Sequence, residues 1–177
     1  MSAQSIYDTA PLGSLIRYSN REPRPPERFT RKLRTWNNEN GLGRLVERYP
    51  GDDRTGYHSP AHFMLHLGNW GSQDVIVLTV RRAYSVESAL QFEIVDLPKP
   101  GSVRILTSYD GRDELRHLAP DMAAAEDWMA RNRYSGMRTE VVTDPDAGYY
   151  GIAIGDRTLV PADGARLGEV RIEDWLR

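Results

Sequence analysis

The stretch LIRYSNREPRPPERF, residues 15–29, places four arginines and three prolines immediately ahead of a helical pattern. A guanidinium donates two parallel hydrogen bonds to phosphate oxygens. A helix start adds free N–H groups and partial positive charge. Arginines at 17, 21, 24, 28, 31, 44 and 48 crowd the N-terminal third, and Arg81-Arg82 close the apolar run VIVLTV. Charge at the end of a strand beside a core needs a partner. The chemistry these residues suit is anion binding, with phosphate the anion of best fit. Arg28, Arg31 and Lys32 share one helix flank and are the candidates for DNA phosphate contacts. The competing structural reading pairs these cations with Glu22, Glu27, Glu39 and Glu47, or lays their stems over apolar surface.

Other chemistries are less well served. His58, His62 and His66 recur at spacing four. On a helix, His62 and His66 would share a face and suit a metal. The alternation in HFMLHL instead favours a strand, where residues four apart are separated by roughly 13 Å. No metal site is therefore expected from them. The chain has no cysteine, which removes disulfides, thiolate metal sites and cysteine nucleophiles. Neither Lys32 nor Lys99 follows the glycine of a phosphate-cradling loop, and no G-x-S-x-G elbow occurs. No catalytic residue is assigned.

These residues are positioned by a run of short elements. LGSLIRY reads as a first strand. Pro25 and Pro26 suit the first turn of a helix, and Phe29, Leu33 and Trp36 give that helix one apolar stripe. Asn and Gly in NNENG stop it. GRLVERY reads as a strand, PGDDRTGYHSP as a loop, HFMLHL as a strand and GNWGSQD as a loop. VIVLTV, continuously apolar, fits a strand buried on both faces. ALQFEIVDL and SVRILTSY are two more strands, and Asp110-Gly111 marks a hairpin turn. Asp121 caps a second helix with Met122, Ala125, Trp128 and Met129 on its apolar face. A strand over about 138–142 follows, then a hairpin turning at Gly155-Asp156.

The pattern predicts an α+β fold with a mixed or mostly antiparallel sheet and two principal helices. A core domain over 1–143 is expected, with a C-terminal hairpin and tail, 144–177, packed on it. The 177 residues are 40% hydrophobic and 27% charged, enough to bury a core. Net charge is −2. It runs from +3 over residues 1–54, through balance over 55–108, to −5 over 109–177. That gradient suggests an anionic partner at the N-terminal third rather than a general nucleic-acid coat. With no apolar run of membrane-spanning length and no basic-then-apolar leader, a cytoplasmic location and no membrane partner are expected.

Read together, residues 12–83 resemble the N-terminal domain of ParB/sulfiredoxin-like proteins. That family has a strand leading to a P-Y-x-N-x-R loop, a helix, a G-L-x-Q-P-I strand and a strand ending near G-E-R-R-x-R-A. The corresponding stretches here are LIRYSNREPRP, RFTRKLRTWNNENG, GLGRLV and TVRRA. Asn20 and Arg24 match the loop; Gly41, Leu42 and Val46 match the second motif, with Arg44 where glutamine is usual. Arg81, Arg82 and Ala83 match the third, with Thr79 and Val80 in place of Gly and Glu.

The resemblance implies a ParB/sulfiredoxin-like core and a nucleotide pocket formed by Asn20, Arg24, Gly41, Arg44, Arg81 and Arg82. It implies ATP or another nucleotide with a divalent metal ion as cofactor. Among small single-domain relatives, the chain resembles plasmid-encoded fertility-inhibition proteins, including the oncogenic-suppression type. That implies nucleotide hydrolysis (an ATPase) or DNA cleavage (a nuclease), inhibition of conjugative DNA transfer, and a partner in the DNA-transfer machinery. The alternative from another class is a non-catalytic inhibitor or adaptor, docking on a protein through Trp70.

Overall fold

Alternation of large apolar residues builds the core. The computed structural model describes residues 1–72, 75–144, 148–149 and 152–153. The first of its two units, Met1–Val142, begins with a helix, α1 (Ala3–Thr9), capped by Ser2, whose hydroxyl accepts from the Ser5 N–H. Five antiparallel strands then form one sheet, in the order β6-β5-β2-β1-β7. They are β1 (Leu15–Ser19), β2 (Gly41–Tyr49), β5 (His62–Ser72), β6 (Val75–Ser85) and β7 (Gln91–Asp96). Ile16, Tyr18, Leu45, Phe63, Leu65, Tyr84 and Phe92 point to one face of this sheet and pack with Ala3, Ile6 and Ala10 of the α1 segment. A second helix, α2 (Thr30–Glu39), lies in the connection between β1 and β2.

A second sheet contains β8 (Val103–Tyr109), β9 (Arg112–Ala119) and β10 (Met137–Val141), in the antiparallel order β10-β8-β9. Val103, Ile105 and Ala119 pack on Ala125 of α3 (Met122–Arg131). Leu106 and Leu115 meet Val46 of the large sheet, with Met64 packed against them. The register of β2 against β5 shifts between Leu45 and Glu47, and that of β9 against β8 at the Ile105/Leu106 step. Each bulge inserts one residue, Val46 or Arg116, and re-aims its neighbours.

The fold is thus α+β and mostly antiparallel, with three helices described rather than two. The extra one, α1, has only seven residues, too few for a periodicity to stand out. Two expected elements are corrected. GNWGS is strand rather than loop, because β6 pairs with β5 out to Ser72, opposite Val75. VIVLTV does not lie in a sheet interior: β6 is the edge strand, and Val77 is 79% exposed. Residues 50–60 also carry a small ribbon, β3 (Asp52–Arg54) with β4 (Tyr57–Ser59).

The turn at Asp110-Gly111 has φ of 52° and 74°, as a tight hairpin of that sequence requires. Asp121 caps α3 as expected, its carboxylate accepting from the Ala124 N–H at 2.8 Å. Unit two, Thr143–Arg177, shows one short antiparallel pair, β11 (Gly148–Tyr149) with β12 (Ile152–Ala153). The expected turn at Gly155-Asp156 lies outside the described residues. No helix among them is long and apolar enough to cross a membrane.

Candidate functional site: a cationic cleft

Antiparallel pairing sets three basic side chains in a row. Arg44 on β2 stands opposite His66 on β5, and His66 stands opposite Arg81 on β6. Side chains directly opposite in such pairs start about 5 Å apart at Cβ, close enough for like charges to repel. The row faces away from the α1 core, because His66 alternates with the buried Leu65. It forms one wall of a cleft of about 400 Å³ whose other wall is β9 and the end of α3. Asn69 and Thr79 extend the basic wall, and Leu115, Arg116, His117, Trp128 and Tyr134 line the opposite side.

Glu114 compensates part of the charge. Its Oε1 lies 2.6 Å from Arg81 Nη1 and 2.8 Å from Arg116 Nη1, and the side chain is only 16% exposed. Among the described residues, three guanidiniums at the cleft against the one carboxylate of Glu114 leave a positive surplus. Arg44 Nη1 donates to the Gly13 carbonyl at 2.5 Å, which anchors that guanidinium without neutralising it. His66 Nε2 is 2.8 Å from Asn69 Oδ1. An amide oxygen only accepts, so Nε2 is the donor in this contact. Burial pushes the His117 imidazole below its ordinary value, and the nearby Arg44 and Arg131 charges lower it further.

The far wall is a ladder of rings. His117 stacks on Trp128 at 5.0 Å between centroids, Trp128 lies near-parallel to Tyr134 at 6.1 Å, and Arg116 covers the Tyr134 ring at 5.0 Å. A second cavity of about 270 Å³ shares Arg116 and Tyr134 with the first and includes Glu47, Thr107, Arg112 and Glu114. Chemically, the cleft presents forked donors on one side and a wall of aromatic side chains on the other. That combination suits an anion attached to a planar group.

The structure brings together two of the six residues expected to form a nucleotide pocket, Arg44 and Arg81. The others lie elsewhere. Arg82 pairs opposite Leu65, so it projects on the α1 side of the sheet, donates to the Asn38 carbonyl and covers the Tyr84 ring. Arg24 sits on the exposed loop, 3.4 Å from Glu27. Asn20 bonds Glu39 and Asn40, closing the base of the α2 excursion. Gly41 stands opposite Tyr18, where a Cβ would come within 2.6 Å of the phenol oxygen.

Consecutive residues of a strand face opposite sides. Arg81 and Arg82 therefore cannot serve one pocket on one face of the sheet. Arg28, Arg31 and Lys32 are exposed on and beside α2. His62 stacks on Tyr49 and His58 bonds Asp53, so the histidine series is dispersed. No group of three or more His, Asp or Glu suited to a metal occurs among the described residues. Trp70 lies on β5, 55% exposed, with its ring over Gly68.

Sequence reasoning missed His66 as a cleft residue, and missed Glu114, Arg116, His117 and Tyr134 altogether. Their one local signal is the alternation in RDELRHLA, which does not say what β9 faces. The chain belongs to the family described as Uncharacterised conserved protein UCP036055, whose model matches residues 1–146. No curated protein and no solved structure matches it.

Proposed function

We propose that this protein binds a small ligand that carries a phosphate next to a planar group, a nucleotide being the nearest chemical example. The observation that carries the reading is the Arg44–His66–Arg81 row facing an aromatic wall across one cleft. Arg44, Arg81 and Arg116 gather positive charge at one cleft, and Glu114 offsets only part of it. A phosphate seated between Arg44 and Arg81 removes the remainder and gains charge-assisted hydrogen bonds of about 1.5–3 kcal/mol each. The planar group lies along the Trp128–Tyr134 wall.

The test is thermal unfolding and calorimetric titration with inorganic phosphate, pyrophosphate, AMP and ATP, each with and without magnesium. A ligand that binds the native state at a hundred times its Kd stabilises by about 2.7 kcal/mol, so the midpoint rises. Arg44→Ala and Arg81→Ala each weaken binding by about tenfold or more, the loss of one charged hydrogen bond. Arg82→Ala, on the opposite face, leaves binding unchanged. A flat panel, or an Arg82→Ala loss equal to that of Arg81→Ala, refutes the proposal.

A further inference from the structure

The helix α2 buries none of its ten residues. Its segment, residues 20–39, carries six cations (Arg21, Arg24, Arg28, Arg31, Lys32, Arg34) and three glutamates. Two of those glutamates have other partners: Glu27 lies 3.4 Å from Arg24, and Glu39 accepts from the Asn20 amide. Arg28, Arg31, Lys32 and Arg34 have no carboxylate partner among the described residues. Arg31 and Arg34 sit at i, i+3, where like charges repel. Arg28 and Lys32 lie over the ring of Phe29, at 4.9 Å and 5.7 Å from its centroid, and Phe29 is 43% exposed. A basic surface with an exposed aromatic residue among its cations has the elements of a single-stranded nucleic-acid platform, in which phosphates meet the cations and a base stacks on the ring in place of a cation now over it.

We infer that the exposed side of α2, with Arg28, Phe29, Arg31, Lys32 and Arg34, is a docking surface for single-stranded nucleic acid. Charge complementarity selects a polyanion: the cations lie on and just before one short helix, and none is neutralised among the described residues. A helix lying in a lipid surface needs its apolar stripe free. Here Trp36 Nε1 donates to the Glu22 carbonyl at 2.8 Å, and Leu33 and Trp36 are half-buried, which leaves Phe29 as the one exposed residue of the Phe29–Leu33–Trp36 stripe. This surface is separate from the cleft. Arg82, which reaches α2 at Asn38, projects from the face of the large sheet opposite to Arg81.

The experiment is fluorescence anisotropy of the intact chain with a labelled 20-nucleotide single strand, titrated from 50 to 300 mM salt. Each neutralised phosphate contributes about −0.7 to the slope of log K against log salt. Four cations predict a slope between about −2 and −3. The triple variant Arg28→Gln, Arg31→Gln, Lys32→Gln reduces that slope by about 2. The single Arg31→Gln, a minimal change on an exposed side chain, reduces it by about 0.7. Phe29→Ala weakens binding by about tenfold, the loss of one stacked base, and leaves the slope alone. The inference is overturned by no binding at 50 mM salt, or by slopes that the Arg28, Arg31 and Lys32 changes leave intact. Co-sedimentation with phosphatidylserine vesicles in the absence of strand binding also overturns it, and assigns the helix to lipid.

Discussion

The protein has two concentrations of positive charge, and they differ in everything except sign. In the cleft, Arg44, His66 and Arg81 come from three strands, stand half-buried and share a space with one carboxylate. On and beside α2, Arg28, Arg31, Lys32 and Arg34 come from one run of sequence, stand exposed and have no ion-pair partner among the described residues. Charges removed from water interact strongly and need a partner held in place. Charges in water are screened and cost little to leave alone. The cleft is therefore coupled to the stability of the fold, whereas the helix surface is nearly independent of it.

The sharpest way to break this contrast is Glu114→Gln. The substitution keeps the shape of the side chain but leaves Arg81 and Arg116 half-buried without a counter-charge. Breaking such a pair costs about 2–4 kcal/mol, read as a lower denaturant midpoint. Because the positive surplus grows, phosphate affinity rises in the same variant. Unchanged stability would show that the cleft is as well solvated as the helix, and the contrast would fail.

A smaller effect is expected from Asp121→Ala. It removes the carboxylate that caps α3, the helix carrying Trp128 to the cleft wall. The loss is about 1 kcal/mol, and ligand affinity falls with it, because the wall loosens. Circular dichroism melts and the phosphate titration together check this. An equal loss of strand binding at α2 would contradict the independence of the two surfaces.

Acid should separate the regions as well. His117 has a folded-state pKa below its ordinary value of 6.5, chiefly through burial and then through Arg44 and Arg131. The folded state thus binds fewer protons than the unfolded state as pH falls below 6.5. Stability drops with falling pH over the window from 6.5 down to the lowered value. Asp113, lowered by its Ser108 and Arg138 partners, adds a second loss below 3.8. His117→Gln flattens the first window only. A phosphate in the cleft, acting on the imidazole in the opposite sense to Arg44, narrows that same window. Unfolding midpoints across pH, with and without phosphate, measure both effects.

The smallest change is expected on the helix. Replacing Arg28, Arg31 and Lys32 by glutamine alters stability by no more than about 0.5 kcal/mol, since exposed substitutions rarely do more and like-charge repulsion is relieved. A loss of several kcal/mol would mean that this surface supports the fold.

How much of this was legible follows from the range of each signal. Asp121 as a cap, Asp110-Gly111 as a hairpin turn and the alternation of HFMLHL are local patterns, and each appears where its chemistry puts it. The α1 helix is too short to show a period. β6 looked like an interior strand because its apolar run says nothing about how many neighbours it has, and it lies at the edge. The resemblance motifs drew Arg24, Arg44, Arg81 and Arg82 into one imagined pocket. Two of them share the cleft with His66 and Arg116, and two lie apart.

Residue order alone was enough to establish that the N-terminal third is cationic, that the chain can bury a core and that thiol chemistry is absent. It also placed Arg28, Arg31 and Lys32 on one short stretch, because neighbours along a helix stay neighbours. Which arginines meet across strands was decided by register and by the two bulges. A single-residue step in a strand turns a side chain to the other face, and nothing in the local sequence records which face will find β9.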